Sequence, residues 1–357
     1  MKKWWSLVVG SLVLLSSLNS AFHAGVRGYS ELFPSIRDDL LNMQRRITQK
    51  VESALDADGA GGAAQLSSQI DESPFFRAVS VLLLGRALSS DLRVAAQHCL
   101  LAEIVEMMYT AQTIHETVLD RSDAASGNVF HRTYSKEIGN KVSVLAGDYL
   151  LAQCSVGLGQ FGKTEVVEKM GHSLETMVHG SLLRSRETSG NISLKAYEGE
   201  TALRTCALLS DACFCAALVS DYDDDDVTRA AETFGHELAM AYQAMRDVKA
   251  YADEESKTQQ QQHTPGMKNN KVMTLPLVLA HEAADPKTKE ALERALRNDR
   301  PADLRLLIDT NDGLQRALTF ANDRARRALD SLDALPFDQE KRDALRVLVR
   351  SVIDRSI

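Results

Sequence analysis

The sequence predicts an all-α protein, and three observations carry that prediction. Apolar residues recur at helical spacing from Phe75 nearly to the C-terminus. No apolar/polar alternation is sustained long enough to make a half-buried strand. Prolines number only seven in 357 residues, and aromatic residues make up 6%, so long helical runs are seldom interrupted. An apolar share of 44% and a charged share of 25% suit an ordinary globular chain. This length fits one large domain or two ordinary ones. With no internal repeat, the expectation is a single orthogonal bundle of about ten helices.

Residues 1–30 read as a targeting segment. Lys2 and Lys3 precede an apolar run from Trp4 to Leu18, which is too short and too serine-rich for a membrane span. A basic start before an apolar stretch suits a secretory signal. The absence of acidic residues before Glu31 suits a mitochondrial presequence, so the residues leave both readings open. Residues 31–71 hold an amphipathic helix and a linker rich in glycine and alanine over 56–64. Residues 72–357 form the main helical domain. There, Leu101, Ile104, Val105, Met108 and Ala111 fall on one helical face. The segments 141–156, 165–185, 197–219, 227–251 and 313–331 follow the same periodicity, and 221–226 and 258–270 read as loops.

Several function classes drop out on composition. The net charge of −8 comes without a dense basic stripe, so nucleic acid is not an expected partner. Cys99, Cys154, Cys206, Cys213 and Cys215 are odd in number and contain no CxxC pair, so they read as small buried hydrophobes. The acidic cluster Asp221–Asp226 reads as a solvated turn feeding the next helix N-terminus, where carboxylates are favoured. His115-Glu116, His236-Glu237 and His281-Glu282 do not extend to HExxH. Gly157–Thr164 matches the P-loop pattern GxxxxGK[ST], and LRLLID at 304–309 looks like its acidic partner strand. The residues before Gly157 are nevertheless helical in pattern, whereas a P-loop needs a strand there.

The segment from Ala102 to Asp148 is the most informative. It contains Glu116-Thr117-Val118-Leu119-Asp120, then Gly139-Asn140-Lys141 and Val144-Leu145-Ala146-Gly147-Asp148-Tyr149. This stretch resembles the all-trans polyprenyl diphosphate synthase family, which carries a DDxxD motif at 116–120. The resemblance spans about residues 72–357 and implies the isoprenoid synthase fold. In that family two such motifs on facing helices hold Mg²⁺ around an allylic diphosphate, whose departure leaves a carbocation that isopentenyl diphosphate attacks. The chemistry is largely electrostatic stabilisation of the leaving group.

This chain keeps the frame and thins the ligands. At the first motif Glu116 and Asp120 remain and Thr117 replaces the second aspartate. At the second, Gly235, Leu238, Ala241 and Gln243 match, but the motif reads Arg246-Asp247-Val248-Lys249-Ala250. Three carboxylates and two cations stand where the family has six carboxylates, a net of −1 against −6. Cations sharing a site with divalent ions oppose their binding. The diphosphate-gripping positions are also changed. Pro74 and Phe75 stand for Lys-Arg near the start, with Arg77 kept. Ala125 and Ser126 replace Arg-Arg. Glu200 reverses the Lys of a Lys-Thr pair whose Thr201 is kept, and the GExxQ stretch reads Gly180-Ser181-Leu182-Leu183-Arg184. Lys271 is kept.

The loss pattern resembles one branch of the family, the second subunit of heteromeric decaprenyl (or solanesyl) diphosphate synthases. That resemblance implies a non-catalytic mitochondrial subunit in ubiquinone side-chain synthesis. It would pair with a catalytic subunit, as a heterotetramer, reach isoprenoid diphosphates through the complex, bind no or only weak metal itself, and leave Mg²⁺ to the partner. The central segment 142–158 is the candidate pairing helix, although a plain core helix explains it equally well. The other reading open to these residues is a weakly active prenyltransferase using Glu116, Asp120 and Asp247.

Overall fold

The structure, a computed structural model, describes residues 28–55, 75–119, 136–186, 192–256 and 273–354, apart from positions 90, 221, 223, 299 and 337. All regular structure among them is helical, with thirteen α-helices of eight residues or more. They are α1 (Arg37–Leu55), α2 (Phe76–Leu88), α3 (Leu92–Leu119), α4 (Lys136–Leu158), α5 (Thr164–Arg186), α6 (Leu194–Thr201) and α7 (Ala207–Leu218). These are followed by α8 (Asp225–Ser256), α9 (Leu275–Ala283), α10 (Pro286–Arg297), α11 (Pro301–Thr310), α12 (Gly313–Leu332) and α13 (Gln339–Asp354).

The count exceeds ten for two local reasons. The run expected over 197–219 is broken into α6 and α7 by a π-helical segment, Ala202–Cys206. In addition, Pro276, Pro286 and Pro301 each open a short helix, because proline at the first turn forfeits no intrahelical bond. Asp285 caps α10 by accepting from the backbone N–H groups of Lys287 and Thr288. The linker 56–64 lies outside the described residues. Near the start of the described residues, Tyr29 is buried and its carbonyl accepts from Phe33 N–H.

The chain divides into two compact units interleaved in sequence, residues 1–171 with 215–223, and 172–214 with 224–357. In the first unit α3 is the axis, packed by α1, α2 and α4. Residues 101–108 are all buried, including Glu103 and Glu106. A buried carboxylate must be paired, and both are. Glu103 takes Arg46 Nε at 2.6 Å and Lys50 Nζ at 2.7 Å from α1, and Glu106 accepts from Ala78 N–H at 2.9 Å.

In the second unit α8 is the axis, with α12 its principal neighbour. Ala317, Ala321, Ala325 and Ala328 form the buried stripe of α12; such small residues let helix axes approach closely. Gly235 does the same on α8, where a Cβ would lie 2.6 Å from the Leu209 carbonyl oxygen. The cysteines are free, with Cys99 half-buried and the others buried. Burial pushes the Cys99 thiol up to about 11 and the Cys154 thiol up to about 12, which keeps both protonated and unreactive.

Candidate functional site

The positions of the first motif belong to the end of α3, in the first unit. Glu116 is half-buried and accepts from Gln112 Nε2, one turn back, at 3.3 Å. Thr117 continues the helix, while Asp120, Ala125 and Ser126 lie outside the described residues, as do Pro74 and Lys271. The neighbouring His115 packs against Gly147 and Asp148 of α4. Its ring lies so close to α4 that a Cβ on Gly147 would be 2.2 Å from His115 Nε2. The same nitrogen is 3.2 Å from the Val144 carbonyl oxygen and 3.4 Å from Asp148 Oδ1. Among the described residues no three His, Cys, Asp or Glu side chains are placed to hold a metal together.

The start of α2 is used for core packing. Phe75 sits in the left-handed region, with φ 73°, and both Phe75 and Phe76 are buried. A non-glycine residue in that region is strained by about 1 kcal/mol or more, which burial of the ring offsets. Arg77, the retained cation of this stretch, is buried and stacks 3.5 Å from the centroid of the Tyr109 ring.

The second motif lies on α8 in the second unit, and here the geometry corrects a sequence expectation. Asp247 does not share a metal-facing surface with Arg246. Successive helical residues point about 100° apart, so Arg246 and Ala250 are exposed, Lys249 is half-buried and Asp247 is buried. Asp247 Oδ2 accepts from the Tyr197 hydroxyl and from Leu275 N–H, each at 2.9 Å, and Oδ1 accepts from Gln243 Nε2 at 2.9 Å. Burial pushes this carboxyl above its usual range, against the pull of the three donors and of the Arg246 charge. Burial, and then the charge of Asp247, likewise pushes the Tyr197 hydroxyl well above its usual value.

The retained positions Thr201 and Gln243 belong to the same network. Thr201 is hydrogen-bonded to Tyr197, and Gln243 Oε1 accepts from the Thr205 hydroxyl at 3.5 Å, in the π-helical segment. Asp247 therefore ties α6, α8 and the N-terminus of α9 into one cluster. Tyr197 was missed in the sequence, although its position one turn before Thr201 was a signal.

Glu200, the reversed charge, also has partners. Its Oε1 is 3.2 Å from Arg184 Nη1 and 3.3 Å from Arg204 Nη1. Gly180 admits the stem of Arg204, since a Cβ there would lie 2.7 Å from Arg204 Cγ. Arg184 and Glu200 thus answer each other. Arg204 was not singled out from the sequence, despite its i,i+4 spacing from Glu200.

The competing motifs resolve plainly. α4 runs to Leu158 directly before the P-loop-like turn, α5 starts at Thr164, and Lys163 Nζ donates to the Leu218 carbonyl at 2.7 Å. The segment 304–309 is helical, in α11, and Asp309 accepts from the Tyr251 hydroxyl at 2.7 Å. Asp224 accepts from Asp226 N–H at 2.7 Å and so opens α8, which is the turn role expected of the acidic cluster.

Comparison with known proteins gives a consistent answer. The polyprenyl synthetase family model matches residues 73–309, more than half of the chain. The chain is 29% identical over 360 residues to a decaprenyl-diphosphate synthase of Dictyostelium discoideum, covering 96% of this chain and 75% of that one. It is 32% identical over 268 residues to a probable mitochondrial hexaprenyl pyrophosphate synthase of Yarrowia lipolytica, covering 72% and 57%. Among solved structures, the geranylgeranyl pyrophosphate synthase of Lactobacillus brevis superposes with a TM-score of 0.76 at 22% identity, covering 92% of this chain and all of that one. That likeness shows the fold, the isoprenoid synthase fold. The chain belongs to the polyprenyl synthetase family.

Proposed function

We propose that this chain is a non-catalytic subunit of a heteromeric all-trans polyprenyl diphosphate synthase, paired with an active homologue. The observation that carries the reading is the second motif. Its one carboxylate, Asp247, is engaged by three donors in the core, and the outward positions one turn apart are Arg246 and Ala250. A site for Mg²⁺ needs outward oxygen ligands of fixed geometry, and this segment offers a cation and a methyl group. The relatives carry the names of synthases; the non-catalytic reading rests on these residues alone. Mg²⁺ then belongs to the partner, and isoprenoid diphosphates reach this chain through the complex. The weakly active reading loses one of its three carboxylates, because Asp247 is committed elsewhere.

Pairing through α4 is supported by its outward face, where Val144, Leu145 and Val156 are exposed. Assembly as a heterotetramer, action in ubiquinone side-chain synthesis and a mitochondrial matrix location complete the proposal. The last is supported by the mitochondrial naming of a relative. The test is prenyl transfer from isopentenyl and farnesyl diphosphates with Mg²⁺, by the chain alone and after co-expression with an active homologue. Activity and co-purification only in the mixture are expected; turnover by the chain alone would replace this reading with that of a weak enzyme. Restoring activity to the chain itself should take at least Thr117→Asp, Arg246→Asp, Ala250→Asp and Glu200→Lys together. Robust turnover from Arg246→Asp alone would contradict the charge argument.

A further inference from the structure

We propose that Cys99 and Cys154 form a redox-sensitive switch for α1, in which mixed-disulfide formation at either thiol holds that helix off the core of the first unit. Two sets of ion pairs fasten α1. Asp39 Oδ2 takes Arg86 Nη2 of α2 at 2.6 Å, while Arg46 and Lys50 take the two oxygens of Glu103 on α3 at 2.6 and 2.7 Å. A cysteine lies at each fastening. Cys99 on α3 is hydrogen-bonded to Asp39 and sits in the field of Arg86 and Arg46. Cys154 on α4 sits in the field of Lys50 and Glu103, and its Sγ donates to the Ile104 carbonyl at 3.6 Å.

Glu103 makes the docked state conditional. Its side chain is 4% exposed, and both of its oxygens are neutralised from α1. A buried carboxylate deprived of its cations is costly, so a group that displaces Lys50 and Arg46 turns Glu103 against docking. Beneath the ion pairs, Leu40, Met43 and Ile47 hold α1 by one apolar face. While α1 is docked, both thiols are shielded and protonated. Once it opens, the desolvation is relieved, and a fraction of each thiol ionises and attacks a small disulfide such as glutathione disulfide. The disulfide's S–S bond breaks as the new one forms to the cysteine sulfur, and the departing thiolate takes up the proton that the cysteine lost. The attached glutathione then occupies space that α1 needs, and its carboxylates compete with Glu103 for Lys50 and Arg46.

The experiment treats the full chain and its Glu103→Gln and Lys50→Met variants with glutathione disulfide, and follows adduct formation at each cysteine by mass spectrometry. Both variants weaken the fastening, one from the core and one from the arm. Adducts at Cys99 and Cys154 should form at least about tenfold faster in them than in the parent, while Cys206, Cys213 and Cys215 keep their parent rates. Acceleration at one thiol alone would assign the switch to that fastening. In the chain so modified, amide hydrogen exchange should rise over α1 and stay unchanged over α8, and dithiothreitol should reverse it. Equal rates in parent and variants would overturn the proposal. Acceleration at all five cysteines would also overturn it, since global opening then exposes them. So would an adduct that leaves α1 exchange as it was, or failure of both variants to fold. Prenyl transfer is not the readout, so the outcome is independent of the subunit assignment above.

Discussion

The two helices that carry the aspartate-rich positions, α3 and α8, place the carboxylates they keep in different surroundings. On α3 the position sits at the helix end, and what is preserved around it is close packing, with His115 lying on Gly147 beside Asp148. On α8 the position sits mid-helix, and its remaining carboxylate has been drawn into the core as the acceptor for three donors. The difference teaches that a carboxylate at a motif position can be an acceptor within the fold. A carboxylate mid-helix has neighbours on every side and can be kept for the fold, whereas one at a helix end has fewer such partners to satisfy.

The largest effect should come from breaking the α8 cluster. Asp247→Ala leaves Leu275 N–H and the Tyr197 hydroxyl without their acceptor, and buried unsatisfied donors cost about 1–3 kcal/mol each. A loss of about 3 kcal/mol in urea denaturation is expected. Wild-type stability in this variant would mean that the carboxylate is not structural. Next, the two close-packing glycines separate the halves. Gly235→Ala meets a backbone carbonyl at 2.6 Å, which cannot step aside, and should cost about 2–3 kcal/mol. Gly147→Ala meets the end of the His115 side chain, which can rotate, and should cost about 1 kcal/mol. The reverse order would contradict the contrast between a yielding and a rigid neighbour.

Acidity offers a subtler comparison. Because the Asp247 carboxyl is raised above its unfolded value of 3.8, its neutral form is the one the fold favours. Its contribution is fully present below that unfolded value and is lost as pH rises through the higher folded value. As pH rises above about 4, wild-type stability should therefore fall relative to that of Asp247→Asn, which has no carboxyl to ionise. Parallel pH profiles for the two would show that burial does not dominate at this site. The smallest stability effect is expected on the outward face of α4, where Leu145→Asp should change stability by no more than about 0.5 kcal/mol. The same variant should lose co-purification with the active homologue; retained co-purification would move the pairing surface elsewhere.

Much of this was legible in the sequence because helical periodicity is a strong signal. The runs at 141–156, 165–185, 227–251 and 313–331 each lie within one observed helix, and the P-loop match was discounted by the helical pattern before it. The direction of Asp247 was also present in principle. Met240, Ala241, Ala244, Val248 and Tyr251 mark the buried face of α8, and residue 247 is three positions from Ala244 and four from Tyr251, hence on that face. Reading the motif as one surface obscured this. What no periodicity could supply was the break at Ala202–Cys206, a π-helical segment that lies against α8, and the partners of Glu200, which require the approach of Arg184 from α5.

The most direct test of the central claim, that the second motif's carboxylate serves the fold, is divalent-metal binding by the full chain and by Asp247→Asn. It would be followed by the resonance of Mn²⁺ standing in for Mg²⁺, in the presence of pyrophosphate. The account predicts no saturable site that depends on Asp247, with the substitution changing stability and leaving Mn²⁺ binding as it was. A saturable Mn²⁺ site in the parent that disappears in a folded Asp247→Asn variant would contradict it.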